Sequence, residues 1–273
     1  MGAKASALLS SGVHRGSPGA IRSAVNLGLR EIRSTLRTPA AFLPGLFIPV
    51  FFYFVQVGAL ASTSAAAGFP DYKGFFLPVS ILFAVSNGGA GLNMVSDIES
   101  GYFDKLMLTP APRFSLLTGA MGADLGRVFL QGLFVGVVAV LTGLDFATGP
   151  VGLILMIVIA SMWGFAYSAI GFAIALKTGN AQATQSAFVL FFPFVFLTTS
   201  FAPMEALSGW LQTAAKYNPI TYLLAAMRSL SMVPPPGTPQ WDVPTLLVGL
   251  AAIGLVGSIT LTFALRALRG RVR

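Results

Sequence analysis

Six long stretches of the chain carry no Asp, Glu, Lys or Arg. Arg37 to Asp71 encloses 33 such residues, Lys73 to Asp97 encloses 23, Arg127 to Asp145 encloses 17, Asp145 to Lys177 encloses 31, Lys177 to Glu205 encloses 27 and Asp242 to Arg266 encloses 23. An α-helix needs about 20 apolar residues to cross the hydrocarbon of a bilayer. The third run is short only because Asp124 and Arg127 interrupt it; Phe114 to Thr142 is otherwise apolar, so that helix is expected to begin near Phe114. The pattern predicts an all-α polytopic membrane protein with six transmembrane helices, residues 1–273 forming a single transmembrane domain.

Shorter patterns lie outside the spans. Ile21, Val25, Leu29, Ile32 and Leu36 recur at helical spacing, Arg22, Arg30, Arg33 and Arg37 supply a basic face, and Ser17-Pro18 suits a helix start. Residues 1–39 are therefore expected to form a cytoplasmic tail and an amphipathic interfacial helix. A plain basic flank would carry the same charges without the spacing. No apolar core of a cleavable signal precedes the first span, so this region is expected to stay on the protein. Between Glu205 and Asp242, two apolar segments too short to span, Leu207 to Tyr217 and Ile220 to Met232, are split by Asn218-Pro219. Residues 204–243 thus read as an extracellular re-entrant helical hairpin between spans five and six. A soluble cap is the alternative, and the scarcity of charge argues against it. Trp210, Tyr217 and Tyr222 suit the headgroup level.

Composition agrees with a membrane environment: 55% of residues are hydrophobic and 10% charged, against about 25% charged in soluble domains. Cys is absent and His14 is the only histidine, which removes disulfides, Cys or His metal sites and a His-based triad from the body of the protein. The formal net charge of +8 arises from basic residues gathered outside the apolar runs, a pattern of membrane orientation rather than of nucleic-acid binding. Lys4, Arg15, Arg22, Arg30, Arg33, Arg37, Lys105, Arg113, Lys177, Arg266, Arg269, Arg271 and Arg273 fall on one side of the six-span topology, and only Lys73, Lys216 and Arg228 on the other. The positive-inside rule then puts both termini in the cytoplasm.

The cytoplasmic stretch at residues 95–113 holds three of the nine acids, Asp97, Glu99 and Asp104. A short helix with Glu99, Asp104 and Lys105 on wet faces and Tyr102, Phe103, Leu106 and Met107 elsewhere, closed by Pro110 and Pro112, suits insertion into a groove of a partner.

These residues also carry a family resemblance. The run Glu99-x-Gly101-x-x-Asp104-x-Leu106-x-x-Thr109-Pro110 resembles the cytoplasmic signature of type-2 ATP-binding-cassette (ABC) exporter permeases. Phe201-x-Pro203-x-x-x-Leu207-x-x-Trp210-Leu211, followed by Asn218-Pro219-x-Thr221-Tyr222, is similar to the block those permeases carry between their last two spans. Within that family the chain looks most like the daunorubicin-resistance type of drug-exporter permease. The resemblance implies a dimer with a second permease subunit, identical or not, resting on two copies of a separate nucleotide-binding (ATPase) subunit that holds ATP and Mg. It implies coupling positions at Glu99, Gly101, Tyr102, Asp104, Leu106 and Pro110, and an extracellular motif at Pro203, Glu205, Trp210, Asn218 and Pro219. It also matches residues 21–37 to the family's connecting helix. A bacterial plasma membrane is the expected location; Arg outnumbering Lys and abundant Ala and Gly hint at a GC-rich genome.

The chain's own residues agree that it is not itself the enzyme. The nearest approach to a phosphate loop is Gly171 with Lys177-Thr178, where Leu176 stands at the position of a required glycine. No cofactor or metal is expected in this chain. Gln56, Asn87, Asn93 and Gln131 are candidates to line a pathway, although single amides in membrane helices also bond between helices. Asp124 and Arg127, three residues apart, are expected to satisfy one another, and Gly132, Gly136, Ala160, Gly164 and Ser168 to permit close helix packing. An ion-coupled carrier calls for carboxylates near the midplane, whereas every acid here except Asp124 falls at a boundary or in a loop, and Asp124 with Arg127 reads as a structural pair near the interface; a membrane enzyme calls for clustered acid–base groups; a channel calls for a pore ring that one chain does not reveal. The expected function is export of a lipophilic or amphipathic compound, drug-like or polyketide-like, with a lipid or lipid-linked glycan as the alternative cargo.

Overall fold

A computed structural model describes residues 39–60, 71–86, 91–108, 113–234 and 239–271. The interfacial helix expected at residues 21–37, and with it Asn87 and Pro110, lie outside the described residues. Within them the chain is helical, without strands: α1 (Pro39–Leu60), α2 (Tyr72–Val85), α3 (Leu92–Glu99), α4 (Tyr102–Met107), α5 (Arg113–Leu141), α6 (Gly149–Thr178), α7 (Ala181–Phe196), a 3-10 turn (Met204–Ala206), α8 (Gly209–Tyr217), α9 (Pro219–Ser231) and α10 (Val243–Arg271).

Among the described residues three segments are long and apolar enough to cross a membrane: Asp124–Leu141 in α5, Gly149–Thr178 and Val243–Arg271. Three shorter apolar helices, Gly45–Ala59 within α1, Tyr72–Val85 and Ala181–Phe196, coincide with the other three uncharged runs. α5 begins one residue before the expected Phe114. The second run is not one helix. α2 closes at Ser86, whose N–H donates to the Leu82 carbonyl at 3.0 Å, and α3 starts only after Gly91. Glycine is among the poorest helix formers, and the Gly88-Gly89-Ala90-Gly91 stretch concentrates three of them. The fifth run is interrupted as well. Beyond Phe196 the Ser200 hydroxyl donates to the Val195 carbonyl at 2.9 Å, closing the last turn with side-chain partners.

α6 is the central element, packed against α10, α5, α7 and α2. In lipid, helices gain little from leaving their solvent, so close fit and internal hydrogen bonds carry the packing. A Cβ at Gly164 would come within 2.6 Å of Val128 Cγ1 and 3.0 Å of the Val85 carbonyl oxygen, so three helices meet at that glycine. Nearby, Trp163 Nε1 donates to Ser86 Oγ at 3.0 Å, and Tyr167 and Phe83 both pack edge-on against Phe191. Arg127 meets Asp124 at 2.7 Å as their spacing predicts, leaving Asp124 Oδ2 without a partner among the described residues. Asp242 immediately precedes α10, and its carboxylate accepts from the Thr245 N–H at 3.1 Å and from the Thr245 hydroxyl at 2.6 Å.

Candidate functional site

The segment expected to couple to a partner is a small two-helix unit seated on one end of the bundle. Gly91 opens α3 with φ +84°, and a Cβ there would lie 2.7 Å from the backbone carbon and oxygen of Gly171. Only glycine allows both that conformation and that approach to α6. Met94 and Val95 of α3 are buried with Phe103, Phe172, Leu176 and Leu268 in one apolar cluster joining α3, α4, α6 and α10.

The single short helix read from the sequence is in fact two, because Gly101 takes φ +69° between α3 and α4. Its N–H donates to the Ile98 carbonyl at 3.1 Å, ending α3. After the turn, the two adjacent aromatics that open α4 differ in burial. Phe103 is buried at 4% exposure and Tyr102 is half exposed, beside exposed Glu99, Asp104 and Lys105. Leu106 falls within α4.

Arg271, which the sequence marks only as one of several terminal cations, fastens this unit. Its Nη1 donates to the Leu176 carbonyl at 2.8 Å and its guanidinium lies 5.9 Å from the Phe103 ring centroid. One side chain from the end of α10 thus caps α6 and covers α4, and a cation suits the negative end of the α6 dipole.

At the opposite end a polar belt ties short elements together. Arg228 of α9 is buried, and its Nε donates to the Phe75 carbonyl at 3.1 Å, Nη1 to Thr199 Oγ1 at 2.9 Å and Nη2 to the Thr199 carbonyl at 2.7 Å. Among the described residues no carboxylate pairs with it. Ser231 Oγ donates to the Gly74 carbonyl at 2.9 Å. Asp71 accepts from the Gly74 and Val233 N–H groups, both at 3.1 Å. Lys73 Nζ donates to the Thr142 carbonyl at 2.8 Å, and Thr148 Oγ1 to the Leu230 carbonyl at 2.8 Å. The signal for this belt in the sequence is an isolated arginine within the apolar segment Ile220 to Met232.

The residues of the second motif divide by role. Asn218 accepts from the Ile220 N–H at 3.0 Å and donates Nδ2 to the carbonyls of Phe194 at 2.7 Å and Leu197 at 3.0 Å. It therefore starts α9 while closing α7. Pro219 is the first residue of α9. Pro203 precedes the 3-10 turn that contains exposed Glu205, and Trp210 stands 73% exposed on α8.

The pathway candidates are not gathered into one site. Gln56 is buried on α1 with neither amide atom bonded among the described residues, and Gln131 is buried on α5 with its Oε1 unbonded. Asn93 is exposed in the first turn of α3. The run compared with a phosphate loop, Gly171 to Thr178, belongs to continuous helix α6; its backbone amides face helical carbonyls and do not form an anion cradle.

A family model described as ABC-2 type transporter matches residues 24–232, which include the α3–α4 unit and the Asn218-Pro219 motif. The chain belongs to the ABC-2 type transporter family. It is 25% identical over 218 residues to the "Daunorubicin resistance ABC transporter permease protein DrrB1" of Streptomyces coeruleorubidus, covering 77% of this chain and 74% of that protein. It is 24% identical over 192 residues to the "Probable doxorubicin resistance ABC transporter permease protein DrrC" of Mycobacterium tuberculosis, covering 70% and 68% of the two chains. This ABC-2 chain is thus a multi-pass membrane protein similar to the permeases of drug-resistance transporters, and α10 lies beyond the matched region.

Proposed function

We propose that this chain is the permease subunit of an ABC exporter, in which ATP hydrolysis by a separate ATPase drives a lipophilic or amphipathic compound outward. The observation that carries the reading is the exposed edge of Glu99, Tyr102 and Asp104, mounted through Phe103 and Arg271 on the ends of α6 and α10. A push on that edge is delivered to two long apolar helices through a packed cluster, because close-packed interiors transmit displacement.

Six spans with both termini cytoplasmic, and residues 204–243 as an outer re-entrant segment, complete the arrangement. Its support is the sorting of charge: Lys105, Lys177, Arg266, Arg269 and Arg271 belong to the end with the coupling unit, while Lys73 and Arg228 belong to the other. Two permease subunits, in a bacterial plasma membrane, rest on two ATPase copies that hold ATP and Mg. A drug-like or polyketide-like cargo is favoured, since two of the similar permeases are named for daunorubicin and doxorubicin resistance. Buried Gln56 and Gln131 are the polar groups this reading assigns to the pathway.

The test is purification in mild detergent after co-expression with ABC ATPase subunits from the same source. The expected result is a stable complex with equal numbers of the two chains and ATPase activity stimulated by anthracycline-like compounds. A permease that is well folded yet isolates alone, and drives flux from an ion gradient, contradicts it.

A further inference from the structure

A groove of about 870 Å³ lies between the C-terminal halves of α6 and α10, in the size range of about 300–1,000 Å³ that small-molecule sites occupy. Its walls include Ile170, Ile174, Ile259 and Phe263, and its end is ringed by Lys177, Arg266 and Arg271. All three cations are exposed. Among the described residues no acidic side chain lines the groove, and none of the three cations has a carboxylate at ion-pair distance. Arg271 uses Nη1 on the Leu176 carbonyl and, as a guanidinium, keeps further donors.

We propose that this groove binds an anionic phospholipid, its phosphate held among Lys177, Arg266 and Arg271 and an acyl chain laid along Ile174, Ile259 and Phe263. Apolar walls ending in a cluster of uncompensated positive charge match an amphiphile with an anionic head; a zwitterionic lipid offers the same chains without the net charge. The basic N-terminal segment, with Arg22, Arg30, Arg33 and Arg37, is a poor occupant because it would set like charges against like. The site also touches the coupling unit, since Arg271 both faces the groove and covers Phe103. Lipid charge at this position therefore bears on the packing of α4.

The experiment is native mass spectrometry of the full chain in mild detergent with phosphatidylglycerol and phosphatidylcholine of identical acyl chains at equal concentration. The expected preference for phosphatidylglycerol is about tenfold or more, with Lys177→Gln and Arg266→Gln each lowering it about fivefold. Arg269→Gln, an exposed cation near the same helix end that does not line the groove, leaves the preference unchanged. Ala173→Phe, which fills the groove from the α6 wall, lowers retention of both lipids while thermal unfolding reports an intact fold. Equal retention of the two lipids by the unaltered chain overturns the proposal. So does a loss in Arg269→Gln as large as in Arg266→Gln, because that pattern is diffuse headgroup attraction rather than a site.

Discussion

The guanidinium carbon of Arg228 lies 3.5 Å from the centroid of the Phe75 ring, while Nε of the same residue donates to the Phe75 carbonyl. A buried cation with no acidic partner among the described residues is thus held by a π face and by neutral oxygens from α2 and from the turn after α7. Arg228→Lys keeps the charge and loses the planar fork that serves three acceptors. The expected cost is about 1–3 kcal/mol, and Arg228→Ala should cost more because it strips the aliphatic stem and the cation–π contact as well. Thermal unfolding in detergent orders the three proteins as native, Lys variant, Ala variant; equal stability of all three removes the belt from the account.

Asn218 gives a prediction whose order runs against simple cap chemistry. Asp is as good an N-cap as Asn, but Asn218→Asp replaces the donor facing the Phe194 and Leu197 carbonyls with a carboxylate oxygen. Asn218→Asp should therefore be less stable than Asn218→Ala, the latter losing about 0.5–2 kcal/mol. Proteolysis of the α7–α9 region or thermal unfolding reads the order directly.

The two glycines of the coupling unit should differ. Gly101→Ala meets only the left-handed backbone, at about 1–2 kcal/mol, since nothing lies near its Cβ. Gly91→Ala meets the same strain and the Gly171 backbone besides, so it should cost at least twice as much and shift α3 off α6. Comparison of expression level and unfolding temperature separates them; indistinguishable variants contradict the packing of α3 on α6.

Topology is testable because the chain contains no cysteine. A cysteine at exposed Ser208, before α8, should react with a membrane-impermeant maleimide on intact cells, and one at exposed Ser100 should react only after permeabilisation. The reverse pattern inverts the orientation drawn from the basic residues.

Much of this architecture is legible in the chain because charge marks the ends of apolar helices. The start of α5 at Arg113 follows the two prolines, and the Asp124–Arg127 pair follows from spacing on one turn. The break between α2 and α3 was hidden inside an uncharged run, since a count of charges is blind to glycine. Arg228 was legible only as a charge, because its acceptors on Phe75 and Thr199 are 153 and 29 positions away. Arg271 is likewise 95 positions from the carbonyl it caps, and its stacking over Phe103 follows from the fold rather than from a local motif. The motif residues Glu99, Gly101 and Asp104 stood out by sequence, whereas the buried anchors beneath them emerge only once α6 and α10 converge.

In the proposed exporter, exposed Glu99 and Asp104 transmit a partner's motion through the Phe103 and Arg271 platform. The most direct measurement compares Glu99→Ala/Asp104→Ala with the native chain for ATPase co-purification and for export from the same cells. The double variant should keep the native unfolding temperature and membrane insertion while losing the ATPase or showing at least a tenfold fall in export. A double variant that retains its ATPase and exports at the native rate contradicts it.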